Sequence, residues 1–149
     1  MQISKRLQNI KPSATLTINA KAQQLRSQGQ EIISLAVGEP DFDTPQHVCS
    51  AAKQAIEQGF TRYTPVHGIP ELRQAVADYF YNFYKLKTEK ETIIISNGGK
   101  QCLYNLFQAL ANPGDEVLLP APYWVSYPDM IELAEARPVI VPTMAENNF

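Results

Sequence analysis

Long apolar runs are missing from this chain. No stretch approaches the roughly 18 residues that a membrane-spanning helix needs, and the first fifteen residues, MQISKRLQNIKPSAT, lack the apolar core of a signal peptide. A cytoplasmic protein is the expectation, with no membrane partner. Cysteine is scarce as well. Cys49 and Cys102 stand too far apart for a CxxC pair, which excludes a disulfide scaffold and a zinc cage, so both read as ordinary thiols and no metal site is expected. An excess of charge is also lacking. Thirteen Lys and Arg against fifteen Asp and Glu leave a net charge of -2 with no basic stripe, and nucleic acid is not an expected partner. Internal repeats and low-complexity stretches are absent.

What remains is a soluble, folding composition. At 149 residues with 44% hydrophobic and 19% charged content, the chain can bury a core and has the length of about one domain. Pro and Gly punctuate it into elements. A helix is expected over 14–28, with Ile18, Ala22 and Leu25 on one side and Gly29 as its cap, followed by a strand EIISLAV (31–37). The loop GEPDFDTP (38–45) ends with Thr44 as N-cap and Pro45 as first helical residue. That helix carries Val48, Ala52, Ala55 and Ile56 on one face and stops at Gly59. Pro70 opens another, in which Leu72, Val76, Tyr79, Phe80 and Phe83 form an apolar stripe.

From residue 92 the pattern alternates: strand 92–96, helix 99–111, strand 116–120, helix 126–135, strand 138–142. Ile93–Ile95, Val117–Leu119 and Val139–Val141 are unbroken apolar runs, as in parallel strands covered by helices on both faces. The expected class is α/β with an open, mainly parallel sheet.

In such sheets ligands bind beyond the carboxyl ends of the strands. The turn at Gly98 and Gly99 lies at such an end and opens a helix, so bare backbone N–H groups and the helix dipole can receive a phosphate, helped by Ser96 and Lys100. The plainer reading, a tight strand-to-helix turn without a ligand, stands beside it. Two stronger motifs fail. Ile94 and Gln101 occupy the Gly and Ser/Thr places of a P-loop, and Cys102 and Leu103 stand where the dinucleotide fingerprint needs a third Gly. The next strand ends in PAPYWVSYP, which brings Tyr123 and the chain's one Trp, Trp124, to the same edge. An indole there is either a platform for a flat ring or ordinary core. The platform reading suits a cofactor that joins a phosphate to an aromatic ring.

Taken together, KPSAT (11–15), GEPDFDTP (38–45), RYTPVHGIPELR (62–73), SNGGKQ (96–101), NPGDEV (112–117) and APYWVSYP (121–128) resemble class I pyridoxal-phosphate (PLP) aminotransferases. The likeness is to the bacterial aspartate subgroup that includes aspartate/prephenate aminotransferases, and the motifs run in family order along essentially the whole chain. It implies the fold type I architecture, a homodimer, and transfer of an amino group from aspartate to a 2-oxo acid through PLP in a ping-pong cycle.

Carried over by position, the backbone at Gly99 and Lys100 is expected to hold the PLP phosphate, and Trp124 to stack on its ring. Tyr63 would reach the phosphate of the neighbouring subunit, and Gly38 the substrate's α-carboxylate. The Lys100 side chain resembles the group that recognises the distal carboxylate of an acidic substrate, with Ser13 and Thr15 nearby, and Lys11 resembles a position linked to prephenate use. Taken alone, Lys11 and Lys100 read as solvated surface charges.

The chain departs from the family pattern in one respect. The resemblance puts the lysine that binds the cofactor covalently beyond Phe149, so no catalytic residue is expected within the chain, which resembles an N-terminal portion of the family. Residues 1–45 are expected to begin the small domain and its arm, and 46–149 to form the first half of the large PLP domain. Two alternatives stand beside the transferase: another PLP enzyme of the same fold, such as a lyase or decarboxylase, and a truncated binding module.

Overall fold

The computed structural model describes residues 2–8 and 10–149. Five α-helices and two strands are assigned among them: α1 (Ala14–Ser27), α2 (Gln46–Glu57), α3 (Pro70–Tyr84), α4 (Gly99–Leu110), β1 (Glu116–Ala121), α5 (Tyr127–Leu133) and β2 (Arg137–Pro142). They fall into two compact units, one of residues up to Glu39 with Lys100–Phe149, the other Pro40–Gly99.

In the first unit helix, strand, helix and strand follow in turn, with β1 and β2 parallel and Glu116 opposite Arg137. The turn Asn112–Asp115 is closed by its own polar groups. The Asp115 carboxylate accepts from the Asn112 N–H at 2.8 Å, and Gly114, at φ +90°, donates its N–H to the Glu135 carbonyl at 3.0 Å. Alternation in β1 sends Val117 and Leu119 toward the helices. There Leu119, Ile131 and Ala136 form the core, with Phe107, Ala111 and Tyr127 packed against it. Ile131 is fully buried.

Cover on both faces, expected from the apolar runs, is not met among the described residues. Leu118, on the opposite face of β1, is 67% exposed. The apolar runs 31–37 and 92–96 likewise form no ladder, because a strand needs a partner edge and no described segment offers one.

In the second unit Pro70 opens α3 as expected, with no N–H to leave unpaired at its first position. The buried face is turned from the expected one. Arg73 and Ala77 are buried with Val76 half-buried, whereas Leu72, Tyr79, Phe80 and Phe83 are exposed. Apolar spacing marked a stripe, but the aromatic rings pair along the helix itself, Tyr79 with Phe83 at 4.6 Å and Phe80 with Tyr84 at 5.9 Å between centroids. At α2 the N-cap is Pro45, not Thr44, and no side chain caps the helix; instead the Pro45 carbonyl accepts from the Val48 and Cys49 N–H groups.

Candidate cofactor and substrate site

The glycine turn is built as the sequence demands. Gly98 sits at φ +84°, a conformation that side chains other than glycine's rarely adopt, and its N–H donates to the Ser96 carbonyl at 2.8 Å. A Cβ at Gly98 or Gly99 would meet nothing within 4 Å, so at Gly98 the backbone torsion, not crowding, calls for glycine. Gly99 is the first residue of the twelve-residue α4. The N–H groups of a first helical turn have no intrahelical carbonyl to meet, and the dipole concentrates positive potential there.

Trp124 belongs to the loop between β1 and α5. Its carbonyl accepts from the Tyr127 N–H at 3.0 Å, which fastens the loop to the start of α5. At the other end Thr143, just after β2, donates its hydroxyl to the Ala121 carbonyl. Sequence reasoning missed Thr143: a lone threonine after a strand carries no signal, and only the parallel pairing of β1 with β2 brings it there. The indole is 52% exposed. The Lys100 ammonium lies 5.8 Å from its centroid, within cation–π range.

The other expected residues are placed as follows. Ser13 is the N-cap of α1: its hydroxyl oxygen accepts from the Leu16 N–H at 3.4 Å, which leaves its O–H free to donate. Thr15 is half-buried in the first turn of the same helix, and Lys11 is exposed just before it. Gly38 is exposed in the loop after residues 31–37. Tyr63, in the other unit, is fully exposed beside a groove of about 560 Å³ that it lines with Phe60, Arg62, Pro65 and Ile69. Of the predicted set, Lys100 and Trp124 are brought into contact with each other. Ser13 engages the backbone of its own helix.

Chemically, within the first unit the Lys100 ammonium beside the accessible Trp124 indole could receive an anion next to a flat ring. These residues fit a cofactor with a phosphate and an aromatic ring. Among the described residues no group of His, Cys, Asp and Glu could hold a metal ion, and no helix is long and apolar enough to cross a membrane.

Residues 30–149 match the family "Aminotransferase class I and II", and the chain belongs to it. Its relatives narrow the likeness. It is 52% identical over 147 residues to the probable aspartate/prephenate aminotransferase of Thermus aquaticus, with 99% of this chain and 38% of that protein covered. It is 50% identical over 149 residues to the aspartate/prephenate aminotransferase of Nitrosomonas europaea, again covering 38% of it. Among solved structures, the aspartate aminotransferase of Thermus thermophilus with maleate superposes with a TM-score of 0.94 at 51% identity, over 98% of this chain and 38% of that one. The fold is therefore the α/β fold of the aspartate aminotransferases, and the chain spans a little over a third of the length of the curated relatives it matches.

Proposed function

We propose that this chain forms part of a PLP-dependent aminotransferase that moves the amino group of L-aspartate to a 2-oxo acid in a ping-pong cycle. The observation that carries the reading is the pairing of Lys100 with an accessible Trp124 at the end of a helix opened by a glycine turn. When bound, PLP supplies an electron sink for the charge that develops at the substrate's α-carbon.

The chain's own residues bind and orient. The N–H groups of Gly99 and Lys100 hold the phosphate in the field of the α4 dipole. The Trp124 indole stacks on the ring and keeps water from that face. The Lys100 ammonium takes the distal carboxylate of aspartate, and the free O–H of Ser13, with Thr15, donates to it. Maleate, found with the Thermus thermophilus relative, is a dicarboxylate of the same length, which supports that assignment. Gly38 meets the α-carboxylate through its backbone. In a homodimer Tyr63 reaches the phosphate of the neighbouring subunit, which agrees with its full exposure within this chain. The paired names of the relatives support prephenate as an acceptor, with Lys11 serving its recognition.

Residues 1–45 begin the small domain and 46–149 the large one, in a cytoplasmic protein. Transfer is favoured over lyase or decarboxylase chemistry by membership of the aminotransferase family.

The test is Lys100→Ala in the complete enzyme saturated with PLP. A charge-assisted hydrogen bond is worth about 1.5–3 kcal/mol, so kcat/KM for aspartate should fall roughly 10- to 150-fold. A neutral amino acid should be almost unaffected. Equal losses for both substrates would assign Lys100 to the phosphate alone, and no loss for either would return it to the solvated surface.

A further inference from the structure

Resting on the reading that the turn at Gly98 and Gly99 leads into a phosphate site, we propose that Gly68 and Arg73 are positioning residues for that turn. They hold the segment 93–96 in place. The ties all lie within the compact unit Pro40–Gly99.

Among the described residues, the segment that delivers the turn is fastened by the start of α3. The Ile95 N–H donates to the His67 carbonyl at 3.1 Å. The Ile95 side chain then lies directly on Gly68, where an added Cβ would stand 2.5 Å from its Cγ1 and 2.9 Å from its Cβ. Gly68 itself is at φ +101°. Both the torsion and the space therefore require glycine at this position.

Arg73 closes the other end. Its Cγ lies 3.8 Å from the same point above Gly68, and its Nη1 donates to the Lys90 carbonyl at 2.9 Å. The residue is 7% exposed, and its Nε is buried without an acceptor among the described residues.

As a source of stability this is a poor arrangement, since a buried guanidinium with an unmatched N–H is readily bettered by an apolar side chain of similar volume. What it achieves is directional. One donor fixes the backbone at Lys90, Gly68 fixes it at Ile95, and Gly98 follows three residues later. A phosphate site made of backbone N–H groups works only when they are held to within about 0.5 Å. Neither Arg73 nor Gly68 is assigned contact with the cofactor, so their influence is on affinity and not on the chemical step.

The experiment uses the complete enzyme, stripped of cofactor and titrated with PLP, for wild type, Arg73→Met, Arg73→Lys and Gly68→Ala. Amide hydrogen exchange of residues 93–99 is measured on each apoenzyme. Arg73→Met and Gly68→Ala are expected to raise the PLP Kd at least tenfold and to speed exchange at 93–99. Arg73→Lys, which keeps a donor for the Lys90 carbonyl, should restore the Kd to within threefold of wild type. Should Gly68→Ala not fold, Arg73→Met and Arg73→Gln carry the test. Variants that melt earlier but bind PLP as tightly as a PLP-binding wild type would overturn this inference alone. A wild-type enzyme that takes up no PLP would sink the cofactor reading and this inference with it.

Discussion

Lys100 and Trp124 are each of an ordinary residue type, and their contact is what makes them a candidate site. A lysine at a helix start is ordinary surface charge, and a single tryptophan is ordinarily core. Their contact at 5.8 Å, with the indole half exposed, gives the ammonium a fixed position over a ring. The ring has a second task in the proposed function, stacking on the cofactor. Stacking between aromatic rings is worth about 0.5–1.5 kcal/mol beyond the area it buries, roughly a 2- to 13-fold change in Kd. In the complete enzyme Trp124→Ala should therefore weaken PLP binding by at least that factor, and Trp124→Phe should recover most of it, as read by titrating the apoenzyme. Equal affinity in wild type and Trp124→Ala would remove the indole from the cofactor site.

At the scale of elements, α4, β1 and α5 contribute side chains to one small core. Ile131 stands at its centre with no exposed surface. Truncating a fully buried isoleucine leaves a cavity, so Ile131→Ala should cost about 2–5 kcal/mol and Ile131→Val about 0.5–1.5 kcal/mol. Denaturant midpoints of the complete protein measure both, and a cost below 1 kcal/mol for alanine would mean that this core does not limit stability. The Glu116–Arg137 pair across the strands has both side chains well exposed and contributes little.

On α3 the exposed aromatic rings give a pH-dependent contact. A hydrogen bond with Tyr84, together with its charge, holds the Tyr79 phenol above its ordinary pKa of 10.0. A raised folded-state pKa favours the protonated form, so this contribution is present below that ordinary value and is lost as pH rises through the raised one. Tyr84→Phe should bring the Tyr79 titration midpoint down toward the ordinary value, followed by NMR of ring-labelled tyrosine. A midpoint that stays put would assign the shift to something other than Tyr84.

At the scale of the whole chain, the buried hydrophobic residues among those described are Ala22, Ala77, Leu119, Met130, Ile131, Ala134 and Ala136, while Ile33, Leu35, Ile94, Leu110 and Leu118 are two-thirds exposed or more. Apolar surface and unpaired backbone of this kind invite association. Residues 1–149 expressed alone are expected to associate or to fold only in part, as seen by sedimentation and by a broad thermal transition. A soluble monomer with one sharp melt would contradict this.

Much of this was legible in the residues themselves. α1 and α2 stop just before Gly29 and Gly59, and α3 opens at Pro70, as their residue types ask, because those signals act through the local backbone. The runs Val117–Leu119 and Val139–Val141 became paired strands, and the glycine turn took the left-handed torsion that its residue type permits. The motifs carried the family, since they are spaced along the whole chain. Three features were decided only by tertiary structure. The face of α3 that is buried turned on Arg73 reaching the Lys90 carbonyl, a partner seventeen positions away that no periodicity contains. The segments 31–37 and 92–96 have strand composition but form no ladder among the described residues, since a strand exists only as half of a pair. The indole of Trp124 met Lys100 because β1 and α4 pack on one core, which brought two distant residues together. Local signals reside in single residues and short spacings, whereas burial, pairing and contact depend on which distant segment arrives.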